Sequence, residues 1–554
     1  MRKLLAIVVV IAGAVPAFAQ SKTTRYLISM RRPARMSGVR LLRDSAEAAA
    51  HDVRTFDNID FAAATLTDAE AAELRKASDV RFLSPVVPRY IETVSQPVPS
   101  RLKLRAEPQS RHSASQTVAY GIDLVHARDV WHVTRGDLGV NVAIVDTGID
   151  YTHPDLKERY AGGFNFFTGT NDPKDDHGHG THVAGIIGAT DNNFGVVGVA
   201  PSAHIWSVKV LDATGAGTDE SVIGGMDWVI NKKHEQGGNW IVNLSIGAAF
   251  PSDGEREIFA RAIDENILVV AAAGNRGERV IDYPAAYSRV VAVSALDEDS
   301  NLASFSSFGR GVVFAAPGVD VLSTFIVGAR KVAEVDQGES ILPSAMPLEG
   351  SSIGEVTGDT VFCGLGKPEE IPPTVKGKIA LISRGELYFR DKVKNVIAAG
   401  AIGVVIVPAE DDPRRSNWTL FVVDADTKST FLVAISVAAK DGQKLIDDAG
   451  KTPITVSYAN DDYVFLSGTS MATPHVVGSA ALAWSLAPDA TAEQIRTAMK
   501  LSAFDLGAKA YDEDFGYGRV DALASAKYVA PQMFGLPPTP APVPTRRRPS
   551  SPHN

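Results

Sequence analysis

Leu466-Ser467-Gly468-Thr469-Ser470-Met471-Ala472-Thr473-Pro474-His475 is the stretch from which the rest of the chain can be read. Its serine follows a glycine-bearing turn and precedes a small-residue run, Met471 to Leu486, that reads as a buried helix. A strand-turn-helix corner of this kind exposes a hydroxyl and aims backbone N–H groups at whatever that hydroxyl attacks. Pro474 is expected in the first helical turn, where its missing N–H costs nothing. Taken alone, the Gly-Thr-Ser triplet also fits an ordinary helix cap.

Two other stretches agree with the chemical reading. Val142-Ala143-Ile144-Val145-Asp146-Thr147-Gly148 is an apolar strand ending in a carboxylate, and His179-Gly180-Thr181-His182-Val183-Ala184-Gly185 is a histidine opening a Gly/Ala-rich helix. Together they supply an acid, a base and a nucleophile. A serine hydroxyl needs an adjacent base, and an imidazole takes and returns a proton near neutral pH. Spacing alone does not separate His179 from His182, or Asp146 from Asp150. The chain order Asp…His…Ser is that of subtilisin, and with these motifs the chain resembles the subtilisin-like serine proteases, the subtilases.

That resemblance implies a doubly wound α/β fold with a mostly parallel sheet, and a serine endopeptidase acting on polypeptides. It implies Ser470 as nucleophile, His179 (the first histidine of its motif) as base and Asp146 as the partner of the imidazole. Asn275, in Ala271-Ala272-Ala273-Gly274-Asn275, matches the family's oxyanion-hole asparagine. Ser245, Ile246 and Gly247, with Ala273 and Gly274, match segments lining the substrate cleft, where an extended peptide would pair as an added strand. A structural Ca2+ site is implied at Asp155 and the loop Thr190 to Val196, with ligands from Thr190, Asn192, Phe194 and Val196 and one more oxygen from Gln116. All are hard oxygen donors, as calcium requires.

Length and composition bound the reading. A chain of 554 residues suggests several domains. A net charge of -10 argues against a nucleic-acid partner. The single cysteine, Cys363, excludes an intrachain disulfide framework. An exported protein without disulfides needs another staple, and calcium is a candidate.

Residues 1–19 read as a secretory signal: Arg2 and Lys3, a short apolar run, then Ala17-Phe18-Ala19. No membrane span is expected after its removal, and the product is expected to be secreted, extracellular or periplasmic, and monomeric. Residues 20–94 look like a small α/β unit, with strands at Tyr26–Ser29, Ala62–Leu66 and Val80–Leu83 and a capping box at Thr67 and Glu70. This resembles the propeptide of subtilases, an intramolecular inhibitor that is later cut away, so a self-processing zymogen is implied. Residues 95–115 read as an exposed linker and maturation region.

Residues 116–324 alternate continuous apolar runs with small-residue helices, as buried parallel strands do. Residues 325–460 change character and resemble an inserted β-rich protease-associated (PA) domain. Residues 461–530 return to the protease pattern, and 531–554 is a Pro-rich tail with no apolar period, expected to be disordered. Competing readings are specific. Asp175, Asp176, His177, His179 and His182 could form a metal cluster, but that leaves Asp146, Asn275 and Ser470 without a role. A non-catalytic peptide-binding protein would ordinarily have lost a triad residue. A Ser-Glu-Asp carboxyl peptidase would carry glutamate at position 179.

Overall fold

The computed structural model describes residues 23–31, 52–77, 80–91, 116–137, 139–337, 342, 344–348, 350–410 and 432–537. The expected signal and linker, and the tail beyond 537, lie outside the described residues. Two compact units emerge, one spanning Val327–Asp462 and the other built from the chain on either side of it.

The first unit begins with β1 (Thr23–Met30), β2 (Arg54–Thr55), β3 (Phe61–Thr67), α1 (Asp68–Leu74) and β4 (Val80–Pro85). The strands form an antiparallel sheet in the order β2-β3-β1-β4. α1 starts at the expected capping box: the Thr67 side chain accepts the Glu70 N–H, and the Glu70 carboxylate accepts the Thr67 N–H at 2.7 Å. A short strand, β5 (Pro88–Tyr90), then leaves this sheet and pairs elsewhere.

The chain continues through α2 (Tyr120–Leu124), β6 (Val140–Asp146), β7 (Tyr160–Asn165), α3 (His179–Gly188), β8 (His204–Lys209), β9 (Ala216–Thr218), α4 (Asp219–Gln236), β10 (Asn239–Leu244), α5 (Asp253–Asp264), β11 (Ile267–Ala272), β12 (Val291–Leu296), β13 (Val312–Pro317) and β14 (Val321–Thr324). Seven of these strands form one parallel sheet, β13-β12-β11-β10-β6-β8-β7. The apolar runs read from the sequence are its strands, and they are buried on both faces. Val142 and Ile144 of β6 pack with Val183 and Ile187 of α3, whereas Ala143 and Val145 pack with Val222 and Met226 of α4. The order turns back at β6, and such a switch point places a crevice at the carboxyl ends of the strands.

The second unit comprises β15 (Lys331–Asp336), β16 (Met346–Pro347), β17 (Gly354–Gly358), β18 (Thr360–Phe362), β19 (Ile379–Ser383), α6 (Phe389–Ala398), β20 (Gly403–Val407), β21 (Val433–Ser436), α7 (Ala439–Asp447) and β22 (Ile454–Asn460). It has a three-stranded sheet, β15-β22-β17, and a five-stranded sheet, β16-β21-β20-β19-β18. Cys363 is buried in its core as a free thiol.

The first unit resumes with β23 (Tyr463–Leu466), α8 (Thr469–Leu486), α9 (Ala492–Ser502) and α10 (Ala522–Val529). β23 pairs antiparallel with β14, Thr324 opposite Tyr463. Two expectations need correction. α8 already begins at Thr469, so Ser470 lies inside its first turn and Pro474 lies in the helix interior, not at its start. The chain past Pro531 is ordered for longer than its composition suggested. Residues Pro531–Phe534 form a 3-10 turn, Pro531 is buried, and the Phe534 ring meets His132 edge-on at 6.0 Å.

Candidate active site

Asp146 ends β6 at the edge of the crevice and is fully buried. Its Oδ1 accepts the Thr147 N–H at 2.7 Å and the His179 Nδ1–H at 2.8 Å. His179 is held there by the way α3 begins. Asp175 accepts the N–H groups of His177, Gly178 and Thr181, and the Thr181 hydroxyl as well. Gly178 takes a φ of 103°, and a Cβ on Gly180 would lie 2.1 Å from the Gly148 carbonyl. Only glycine at 180 lets this helix press against the turn after Asp146. Lys209, at the end of β8, fixes that turn from beneath: its buried Nζ donates to Thr147 O at 2.7 Å, Leu211 O at 2.9 Å and Asp176 Oδ1 at 2.6 Å. Sequence reasoning passed over Lys209; a lysine closing an apolar strand was the available signal.

His182 lies one turn along α3, wholly buried, with Nε2–H donating to Val321 O at 3.1 Å and Val464 O at 3.0 Å. Burial, above all, pushes its pKa down to about 3. Its neutral ring therefore ties the β14–β23 ribbon to the helix, a structural task. No group of three or more His, Cys, Asp or Glu side chains that could hold a metal occurs among the described residues, so the cluster reading of Asp175 to His182 falls.

Thr469 and Asn275 meet at the start of α8, next to Ser470. Asn275 Oδ1 accepts the Thr469 N–H at 2.8 Å and the Thr469 hydroxyl at 2.9 Å. This turns the carboxamide over the corner, where a Cβ on Gly468 would lie 3.3 Å from Asn275 Nδ2. The Ser470 hydroxyl, however, does not reach the histidine. It donates to Ser245 O at 3.1 Å, while His179 Nε2 is buried without a hydrogen-bond partner among the described residues. A serine only 4% exposed must satisfy its hydroxyl on whatever acceptor is near, and Ser245 provides one.

Ser245, Ile246 and Gly247 follow β10. Ser245 Oγ donates to Ser470 O at 2.8 Å, the Ile246 side chain turns into the core, and Gly247 faces the cleft. The chain's own β5 lies in that cleft. Arg89 pairs antiparallel with Gly217 of β9, and on the other side Tyr90 and Gly247 exchange N–H···O bonds of 3.4 and 3.1 Å. Ile91 N–H continues to Gly215 O at 3.0 Å. Ala216 to Thr218 is thus the second wall of the cleft, which sequence reasoning missed. Ala273 and Gly274 do not pair with a peptide as expected. Ala273 exchanges its bonds with Val293 and Asp282, and Gly274 with Thr469 Oγ1 and Ser307, so their backbone is already used.

The expected calcium residues also converge. Thr190 O, Val196 O and Asn192 Oδ1 surround Gln116 Nε2 at 2.7, 3.0 and 3.4 Å. Asp155 braces the loop, accepting from Asn192 Nδ2 at 2.9 Å, Val196 N–H at 3.0 Å and Tyr463 O–H at 3.0 Å. Phe194 gives its N–H to Asn192 Oδ1 at 3.1 Å. One carboxamide nitrogen, with two hydrogens, thus faces three oxygen acceptors. The oxygen set fits a hard cation in its place, with Gln116 turned to present its own oxygen.

Against known proteins, the Subtilase family model matches residues 137–345 and the PA domain model matches residues 355–445. Subtilisin Savinase of Lederbergia lenta is 44% identical over 211 residues, which is 38% of this chain and 76% of that protein. An alkaline protease of Shouchella clausii is likewise 44% identical over 211 residues, but these cover 53% of its length. Among solved structures, the psychrophilic subtilisin-like protease Apa1 from the Antarctic psychrotroph Pseudoalteromonas sp. AS-11 is similar with a TM-score of 0.50 and 31% identity, over 75% of this chain and 98% of that one. Sequence, parallel sheet and crevice agree, and the chain belongs to the subtilase family of serine endopeptidases.

Proposed function

We propose that this subtilase is made as a secreted, self-processing zymogen whose triad is Asp146, His179 and Ser470. The observation that carries the reading is the seating of Pro88–Tyr90 as an added strand between Ala216–Thr218 and Gly247, beside the Ser245–Ser470 contact. A chain that lays its own N-terminal strand in a peptide cleft blocks that cleft. The same unit grips α4 from the side: Asp227 accepts the N–H groups of Asp57 and Asn58, and Glu220 accepts Arg25 Nε at 2.8 Å and Nη2 at 2.6 Å.

Ser470 turns its hydroxyl from Ser245 O to His179 Nε2, which takes the proton as Oγ attacks the substrate carbonyl carbon. Asp146, fixed on Nδ1–H, holds the tautomer and stabilises the imidazolium. The tetrahedral oxyanion is met by Asn275 Nδ2–H and the Ser470 N–H. The C–N bond breaks as His179 returns the proton to the amine. Water, activated by the same imidazole, then hydrolyses the ester on Ser470. Calcium held by Gln116, Asp155, Thr190, Asn192, Phe194 and Val196 would staple the surface loop and take no part in these steps.

No helix among the described residues is long and apolar enough to cross a membrane. The protein is read as a monomer exported through its N-terminal signal, with the second unit as a PA domain spanning Val327–Asp462.

Intact-mass analysis of wild type and Ser470→Ala tests this reading. Loss of the N-terminal segment from wild type alone is the expected result. Full-length wild type that also refuses a serine-directed phosphonate would overturn it.

A further inference from the structure

The strand in the cleft carries one buried charge. Pro88 and Tyr90 of β5 are exposed, whereas the Arg89 side chain between them is 1% exposed. It enters a pocket floored by Glu255 in the first turn of α5, which is itself fully buried. The contact is a two-pronged fork: Arg89 Nε donates to Glu255 Oε1 at 2.7 Å and Nη2 to Oε2 at 2.8 Å, while Nη1 returns to Pro88 O at 2.9 Å. Tyr287 O–H reaches Glu255 Oε2 at 3.0 Å. A second carboxylate, Asp219, is 1% exposed at the N-terminus of α4 and accepts the Val87 N–H of the same segment at 3.0 Å.

The floor and walls of this pocket come from the catalytic domain, and the cation comes from the segment that leaves. Departure of β5 strips Glu255 of both its guanidinium bonds and leaves Tyr287 as its described partner. A carboxylate built into such a recess discriminates strongly for a matching cation, and the planar fork suits arginine better than lysine.

The register says where that cation sits on a substrate. Tyr90 lies opposite Gly247 in antiparallel fashion. Advancing two residues along the peptide therefore retreats two along the enzyme, to Ser245, whose carbonyl holds the Ser470 hydroxyl. The residue brought to the nucleophile is thus three places beyond the one in the pocket.

The geometry points to Glu255, with Asp219 and Tyr287, as a specificity pocket for arginine, selecting polypeptides that carry a guanidinium three residues before the residue whose carbonyl is attacked. This rests on the reading of the crevice as a peptide cleft given above. Glu255 is a specificity residue, remote from the bond that breaks.

The test uses the matured wild-type enzyme and fluorogenic peptides built on Val-Val-Pro-X-Tyr-Ile-Glu, cleaved after the glutamate, with X as arginine, citrulline, leucine or glutamate. Loss of one partner of a buried charged pair should reduce kcat/KM by at least about thirtyfold from arginine to citrulline or leucine. The gap should shrink at least tenfold in Glu255→Gln. Equal cleavage of the arginine and citrulline peptides by an enzyme that still takes the phosphonate overturns the pocket and leaves the protease reading intact. Failure to cleave any peptide or to take the phosphonate overturns the protease reading instead. In that case hydrogen exchange on the unprocessed chain still judges the pocket: Arg89→Leu should expose the amides of Tyr90 and Ile91 at least tenfold, and unchanged protection overturns it.

Discussion

Ser245 and Ser470 are bonded to each other twice: the Ser245 hydroxyl donates to the Ser470 carbonyl at 2.8 Å, and the Ser470 hydroxyl donates to the Ser245 carbonyl at 3.1 Å. The first bond has a cause inside α8. The Ser470 carbonyl should accept the N–H four residues on, but that residue is Pro474, which has none. Ser245 supplies the missing donor from outside the helix. The Ser470 backbone is therefore pinned by β10's loop.

This makes Ser245 a positioning residue with a measurable signature. Ser245→Ala should lower kcat by about tenfold, near the upper range for one lost hydrogen bond, with KM little changed. Pro474→Ala returns an N–H to the helix, so the same Ser245→Ala change should matter less in that background. A double-mutant cycle on one fluorogenic peptide reads the coupling. A Ser245 effect of equal size in both backgrounds would remove the link to Pro474.

Asn275 is anchored by its amide oxygen at Thr469, and in the proposed mechanism its nitrogen end meets the developing oxyanion. Asn275→Ala should reduce kcat by about 10²–10³, the loss known for this kind of donor in a subtilisin, with KM nearly unchanged. The Thr469 N–H also loses an acceptor, so melting should be recorded beside kinetics. A kcat within threefold of wild type in a folded protein would exclude Asn275 from the oxyanion hole.

The elements that carry the chemistry were legible because each is locally over-determined. β6 is a continuous apolar run ended by Asp146, and α1 carries its capping box in four residues. Asn275 and the Thr190 loop, both singled out from the sequence, lie against Thr469 and Gln116. What escaped it depended on long-range geometry. Nothing local marks Ala216–Thr218 as a cleft wall, because its partner is β5, far back in the chain. Arg89 and Glu255 form a pocket only after two elements meet. Pro474 was placed a turn too early because a helix start is normally its easiest position. Here an external hydroxyl makes an interior proline tolerable.

The oxygen cradle around Gln116 gives a prediction for calcium removal. Chelation should destabilise the mature enzyme by about 3 kcal/mol at a working calcium level a hundredfold above Kd. For a domain of this size that is a melting point lower by roughly 5–10 °C. Asn192→Ala should remove most of the calcium response by deleting one donor. Identical melting curves with and without chelator would eliminate the site.

Two buried histidines predict a loss of stability in acid. His182 and His475 are wholly buried, and burial holds them neutral with pKa values pushed down to about 3 and about 4. In the unfolded chain both should titrate near the ordinary value of about 6.5. Between these limits the unfolded state binds more protons, so stability is full above pH about 6.5 and falls as pH drops towards 3–4. His182 alone should cost on the order of 3 kcal/mol at pH 4. Asp219 works in the opposite sense: burial raises its pKa to about 6, so its contribution favours the folded state as pH falls from about 6 to 4. A comparison of His182→Gln with its parent cancels that term. Urea unfolding at pH 4 to 7, in a Ser470→Ala background to prevent self-digestion, should give a shallower acid slope for His182→Gln, even though its stability at pH 7 is lower through weaker bonding to Val321 and Val464. Parallel pH profiles for the two proteins would show that His182 does not carry the acid sensitivity.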